Sequence, residues 1–372
     1  MSEKLIPVAA ASLGFGFMRL PKKDNGTFDM NLVKRMVDVF LSEGFTYFDT
    51  AYLYPGSEEA IREAVVERFD RDSFKIASKL PISPMEKQED AQTFFDASLR
   101  RSGVSYFDYY LIHAINIMSS QKLERLGTWQ FIRGLKDSGL IKHYGFSYHG
   151  TPDVLENILA SNKDVDTVQL QINYLDWDDE KVQARRCYEV AHAYGIPITV
   201  MEPIKGGLLA NTPKSVTDIL RFADASASTA SWALRFVASL DGVTTILSGM
   251  NSLEQMFDNI ATIKNHRALS QNDYYILDKV IEKYQRIPRI PCTGCRYCVA
   301  DCPSKIRIPN LIDLYSDYLV YNTIIAGQDL YSVYTLDRGK ASDCVQCHIC
   351  EEHCPQRIEI TKIMDYVTKI YE

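Results

Sequence analysis

The chain has 372 residues, is 46% hydrophobic, and carries a formal net charge of -7 at pH 7 with a pI near 5.6. Its length allows a sizeable core and more than one domain, while the acidic balance, without a basic stripe, argues against a nucleic-acid partner. No uncharged apolar run reaches the roughly 18 residues that a bilayer span needs, and MSEKLIPVAAASLG lacks the long apolar region of a secretory leader, so neither membrane insertion nor export is expected.

In chain order, short apolar runs alternate with longer amphipathic ones. The candidate strands are ASLGFGFM, FTYFDT, FKIASK, FDYYLIH, IKHYGFS, TVQLQIN, PITVME and TTILSG. Helical periodicity runs through NLVKRMVDVFLSEG, SEEAIREAVVERF, DAQTFFDASLRRSG, TPDVLENILA and KVQARRCYEVAHAYG, several of which close on Gly. Eight strand-helix alternations before Gly249 fit a parallel (β/α)8 TIM barrel better than a doubly wound sheet, which the pattern alone leaves open. LGFGFMR is not a dinucleotide-binding fingerprint: Arg19 stands where the third Gly belongs, and Pro21 follows where a helix should begin.

The second strand leads into FTYFDTAYLYPGSEE, which places Asp49 and Tyr54 just past the strand. Pro55-Gly56 makes a turn, with Ser57 expected as the N-cap of the following helix and Glu58 and Glu59 in its first turn. The third strand ends in Lys79 and the fourth in His113. Alone, the lysine reads as a solvated charge and the histidine as a satisfied core residue. Together with Asp49 and Tyr54, all at strand ends, they resemble the aldo-keto reductase signature.

That resemblance implies an NAD(P)(H)-dependent oxidoreductase that reduces a small-molecule carbonyl or oxidises an alcohol. It makes Tyr54 the general acid/base, Lys79 the ammonium that tunes the phenol, Asp49 the anchor of Lys79, and His113 a donor to the carbonyl oxygen. It also implies cofactor contacts. Gly14 and Phe15 would lie near the nicotinamide, Ser147 and Gln171 on its carboxamide, and Lys205 with its glycines near the pyrophosphate. Ser248, Gly249, Met250, Gln255 and Asn259 would line the adenosine-phosphate pocket. Ser252 and Gln255 form a capping-box pattern that opens a helix suited to phosphate.

Departures from the family are visible. Tyr148 follows Ser147 where Asn is usual, MEPIKGG replaces the aromatic after the seventh strand, Ala114 and Ile115 replace Trp and Pro after the histidine, and no Lys or Arg lies between Gly249 and Asn259 to grip a 2′-phosphate. NADP(H) and NAD(H) both stay open as cofactors, as does the substrate.

Eight of the nine cysteines fall between Cys292 and Cys354. They form two runs of Cys-x2-Cys-x2-Cys-x3-Cys-Pro, the pattern of two [4Fe–4S] clusters, whereas structural zinc sites split into separated pairs. Crossed ligation, as in two-cluster ferredoxins, assigns Cys292, Cys295, Cys298 and Cys354 to one cluster, and Cys344, Cys347, Cys350 and Cys302 to the other. His348 and His353 read as neighbours rather than ligands, and Cys187 as buried packing. This cysteine usage suits a reducing compartment such as the cytoplasm.

The expected organisation is a barrel over 1–285 and a small, mainly α-helical ferredoxin-like domain over 286–372. The whole resembles aldo-keto reductase family members with such a C-terminal domain. Nicotinamide gives electrons in pairs and a cluster takes them singly, yet no flavin signature is visible to convert between them. Two further readings therefore stand: an electron-transfer module with a redox partner protein, whose barrel is a docking or sensing platform, and clusters that only staple the C-terminal helices.

Overall fold

The structure is a computed structural model that describes residues 11–115, 117–180, 182–286, 290, 292, 297–322, 324–354 and 358–372. Cys295 lies outside the described residues. The chain divides into two compact units: residues 1–205 with 230–270, and 206–229 with 271–372.

The first unit contains eight strands: β1 (Ser12–Gly16), β2 (Tyr47–Asp49), β3 (Lys75–Pro81), β4 (Phe107–Ile115), β5 (Ile141–Tyr148), β6 (Thr167–Gln171), β7 (Ile198–Met201) and β8 (Val243–Ser248). All pair in parallel, in sequence order, and β8 closes on β1. The closed barrel, rather than an open doubly wound sheet, is the arrangement present.

Pleating sends alternate residues to opposite faces, and the barrel uses both. Phe48 turns outward and joins Phe15, Phe17 and Phe40 in a buried cluster with ring centroids 4.9 to 6.3 Å apart. Its neighbours Tyr47 and Asp49 turn inward. Gly14 is in register with Tyr47 and Leu247, and a side chain there would stand 2.6 Å from Leu247 Cδ2. Tyr47, Ala77 and Leu247, with Tyr109 against them, fill the lower interior.

Two local details differ from the sequence expectation. Ser57 is the first residue of the helix Ser57–Ile61, not its N-cap; Gly56 takes that place at φ +73. The Ser57 hydroxyl instead donates to Phe17 O at 3.0 Å and pairs with Thr50 Oγ1 at 2.6 Å, binding the loop after β2 to the end of β1. The long periodic stretch SEEAIREAVVERF is also not one α-helix: Arg62–Val66 widens into a π-turn.

In the second unit, helices Ile308–Tyr321 and Ile360–Tyr371 pack together, as do Lys214–Ala223 and Gln271–Gln285. Ile306, Leu311, Ile312, Ile360, Met364 and Val367 form its core, and six of the described cysteines pack against or within that core. Among the described residues no helix is long and apolar enough to cross a membrane.

The tightest packing point of the barrel is Gly145 on β5, where an added Cβ would lie 1.9 Å from Thr167 O on β6. Backbone cannot yield as a flexible side chain does. Gly145→Ala is expected to destabilise the barrel by about 3 kcal/mol, the upper end for overpacking, read as a lowered urea midpoint with an unchanged slope.

Candidate active site

β2, β3 and β4 end side by side and carry the charged residues singled out above. Asp49 is in register with Ala77, so Lys79, two residues on, shares the interior face one level higher. Both side chains are buried, at 5% and 1% exposure. Lys79 Nζ donates to Asp49 Oδ1 at 2.6 Å and to Thr50 O at 2.8 Å, a carbonyl left for it because β2 stops at Asp49. Tyr54 arrives from the loop after β2. Lys79 Nζ sits 5.2 Å from the Tyr54 ring centroid. The Tyr54 ring meets His113 edge-on, with centroids 5.6 Å apart at 85°. All four residues are thus brought together.

Their protonation follows from burial and charge. Burial lifts the Tyr54 phenol above its ordinary value; the Lys79 ammonium pulls it back, Asp49 pushes it up, Arg19 lowers it and Glu202 raises it. Burial works against the Lys79 ammonium, but Asp49 and Tyr54 outweigh it and hold its pKa above the ordinary value. His113 is depressed to about 3 by burial, then by Lys79 and His149. It is therefore a neutral imidazole at neutral pH, fit to donate a hydrogen bond rather than to carry charge.

β4 ends irregularly. Its register against β5 shifts between Ile112 and Ile115, and Ala114 takes φ +56. Ala114 N donates to Ser147 Oγ at 2.7 Å. Bulges beside sites re-aim side chains, and this one follows His113 directly.

The expected cofactor contacts divide. Ser147 and Gln171 lie at the ends of β5 and β6; the Ser147 hydroxyl has accepted from Ala114 and keeps its own proton to donate. Gln171 Nε2 donates to Asp176 Oδ2 at 2.9 Å. Lys205 is drawn to the same carboxylate, Nζ to Asp176 Oδ1 at 2.6 Å, and takes φ +48. Ser248 accepts from Asn259 Nδ2 at 2.7 Å, a buried bond from β8 to the helix Leu253–Lys264. Ser252 caps that helix by accepting from Gln255 N at 3.2 Å, while Gln255 Oε1 accepts from Asn251 N at 2.9 Å. Met250 is buried, and Gly249 lies beside Arg19. Gly14 and Phe15 serve packing, as described, because strand parity turns Phe15 outward and places Gly14 below the opening; Gly16, in register with Asp49, is the glycine at that level.

Sequence reasoning passed over Arg19, His149, Asp176 and Glu202. Arg19 Nη1 donates to Glu202 Oε1 at 3.1 Å. Burial holds the His149 imidazole below its ordinary pKa, against the upward pull of Glu202. The signal was available for two of them: Arg19 and Glu202 each end an apolar run, as Asp49 and Lys79 do.

In the second unit, Cys302, Cys344, Cys347 and Cys350 line one cavity with Ile306, Ile308 and Ile360. This is the crossed set expected from the motifs. Burial, Glu351 and the thiols of Cys344, Cys298 and Cys347 push Cys350 up to about 12. Among the described residues no three His, Cys, Asp or Glu side chains gather as a site for a metal ion. His348 pairs with Glu351 at 2.8 Å and His353 with Asp301 at 3.3 Å, as neighbours of the cysteines. Cys187 is buried, and burial pushes its thiol up to about 11, the mark of inert packing.

Comparison with known proteins gives two family matches. Residues 12–282 match the model of the aldo/keto reductase family, and residues 291–359 match that of a 4Fe-4S dicluster domain. An NAD/NADP-dependent indole-3-acetaldehyde reductase of Schizosaccharomyces pombe is 26% identical over 203 residues, 54% of this chain and 66% of that protein. A 7-acetyl-epi-neemfruitin B aldo-keto reductase of Melia azedarach is 27% identical over 201 residues, 48% of this chain and 62% of that one. The matches thus span just under two thirds of these relatives. Among solved structures, an aldo-keto reductase from Klebsiella pneumoniae in complex with NADPH superposes with a TM-score of 0.59 at 20% identity, covering 73% of this chain and 92% of that one. The holo form of an aldo-keto reductase from Bacillus halodurans gives 0.58 at 22% identity, with the same coverage.

The depressed His113 pKa has a thermodynamic consequence. The unfolded chain takes up a proton near pH 6.5 that the folded imidazole refuses until about 3, so stability falls as pH drops through that window. His113→Asn should flatten the acid limb of stability against pH by up to about one proton, as measured by urea unfolding at a series of pH values.

Proposed function

The chain belongs to the aldo/keto reductase family and carries a 4Fe-4S dicluster domain at its C-terminus; from that premise we propose that its barrel exchanges hydride between NAD(P)(H) and a small carbonyl compound. The observation that carries this reading is Lys79, held by Asp49 and Thr50 and 5.2 Å from the Tyr54 ring, with His113 against that ring. The NADPH named for the Klebsiella pneumoniae neighbour and the NAD/NADP named for the Schizosaccharomyces pombe relative support a nicotinamide cofactor here.

When bound, the nicotinamide supplies the hydride and the clusters accept or release single electrons. Tyr54 gives its proton to the carbonyl oxygen as charge develops there, and in the reverse direction takes it back. Asp49 keeps Lys79 in place and charged, so that the phenolate left behind has a cation beside it. His113, neutral, donates to the same oxygen and orients it. Ser147 and Gln171 are the residues we assign to the carboxamide. Met201, at the inward end of β7 in register with Gln171, stands where the family commonly has an aromatic.

For the second unit we propose two [4Fe–4S] clusters, with Cys302, Cys344, Cys347 and Cys350 holding one, and Cys292, Cys295, Cys298 and Cys354 the other. Four thiols around one apolar-walled cavity support the first set. The domain boundary we propose, between 285 and 286, falls in the stretch that neither family model covers.

One observation favours the electron-transfer reading instead. Lys205, Ser248 and Asn259, expected on the nucleotide, are engaged within the chain. Weak nucleotide binding would leave the clusters as the working part.

Tyr54→Phe should lower the turnover of aldehyde by about 10²- to 10⁴-fold with NADPH affinity preserved; full activity in this variant would overturn the tetrad reading. Cys347→Ala should reduce iron from about eight to about four per chain in anaerobically reconstituted protein, as determined by iron analysis and visible absorbance.

A further inference from the structure

Two charged side chains outside the Asp49, Lys79, Tyr54 and His113 group belong to the same opening, and the chemistry above gives them no task. Arg19 closes the turn Phe17–Arg19 after β1, and Glu202 follows β7. They meet at 3.1 Å with side-chain exposures of 19% and 28%, neither sealed nor on the open surface. Both act on the Tyr54 phenol, in opposite directions. Charges that reach the phenol also reach the molecule that the phenol protonates.

Glu202 is held in place. It takes φ +55, a conformation that L-residues adopt at a cost, and Pro203 follows it. Its carbonyl accepts from Asn173 Nδ2 at 3.1 Å. Arg19 is packed beside Gly249, where an added Cβ would stand 3.7 Å from Arg19 Cβ. The result is a half-buried guanidinium with a carboxylate of the chain laid against it, at the same end of the barrel as Tyr54.

A guanidinium is a planar fork matched to a carboxylate. An exchange of one carboxylate for another keeps the guanidinium paired throughout, whereas removal without replacement costs it that charged partner. We infer that Arg19 is the receptor for a carboxylate on the substrate and Glu202 its place-holder. The substrate class is a small aldehyde or ketone that also bears a carboxylate, or the hydroxy acid it forms, and its carboxylate takes the guanidinium from Glu202. This rests on Tyr54 and His113 being the reacting pair. The competing account is a clip that only ties the ends of β1 and β7.

The test uses the full, cluster-loaded chain under anaerobic conditions with a matched pair of substrates, 3-carboxybenzaldehyde and benzaldehyde. Wild type should prefer the acid in kcat/KM. Arg19→Gln should collapse that ratio by on the order of 10- to 100-fold, the worth of a hydrogen-bonded charge pair, through KM for the acid. Glu202→Gln should raise the ratio, because the place-holder is gone. A clip predicts that both variants lower both substrates together with the ratio intact, and that result would overturn the inference.

Benzoate binding followed by calorimetry in the presence of NADP+ gives a readout without turnover. Loss at Arg19→Gln and tightening at Glu202→Gln support the receptor even if neither aldehyde is reduced, in which case the carbonyl-reductase reading fails by itself. Benzoate affinity indifferent to Arg19, with benzaldehyde turned over, overturns the receptor and leaves that reading standing.

Discussion

An ammonium in the interior of a barrel is the constraint on which this site depends. Lys79 is 1% exposed, and a charge so placed persists only where partners replace the water it has lost. Asp49 and the Thr50 carbonyl do so at 2.6 and 2.8 Å, from the end of the neighbouring strand. That arrangement needs β2 to be short: Thr50 N still bonds Ala77 O, yet its carbonyl turns to the lysine rather than to a continuing ladder. Closure of the sheet on itself then surrounds the pair with packed residues, from Tyr47 and Leu247 below to the Tyr54 ring beside it.

Burial, and after it this fixed charge, sets the state of the neighbours. Beside it His113 stays neutral, and the Tyr54 phenol is drawn down by the ammonium against the upward push of burial. The opposing effects of Arg19 and Glu202 extend this balance outward, so that two cations and two anions share the surroundings of one hydroxyl. Backbone strain gathers at the same end of the barrel. Ala114, in the irregular end of β4, and Glu202 and Lys205, past β7, all hold positive φ.

Much of this was legible in the sequence. The eight strands follow from apolar runs of strand length alternating with helical periodicity, and Asp49, Tyr54, Lys79 and His113 stand out because polar residue types end apolar runs. The cysteine runs are legible for the same reason, since spacing alone carries the ligand pattern. Elsewhere a tertiary contact set the geometry that a local preference left open. Ser57 looks like a cap, but its hydroxyl bonds Phe17 O and Thr50 instead. Lys205 looks ready for an anion, but Asp176 reaches it first. Phe15 looks placed for a cofactor, and parity turns it into the outer aromatic cluster.

By itself, then, the sequence determined the fold class, the family resemblance, the two cysteine runs and the four residues at the barrel mouth, because strand period, residue type and spacing are local properties written along the chain. Only the tertiary structure decided which charges meet. Arg19 and Glu202 are 183 residues apart, and Lys205 finds Asp176 across 29. Such pairings depend on barrel closure and on the face each strand end presents, and Coulomb attraction acts on distance in space, which a linear chain does not display.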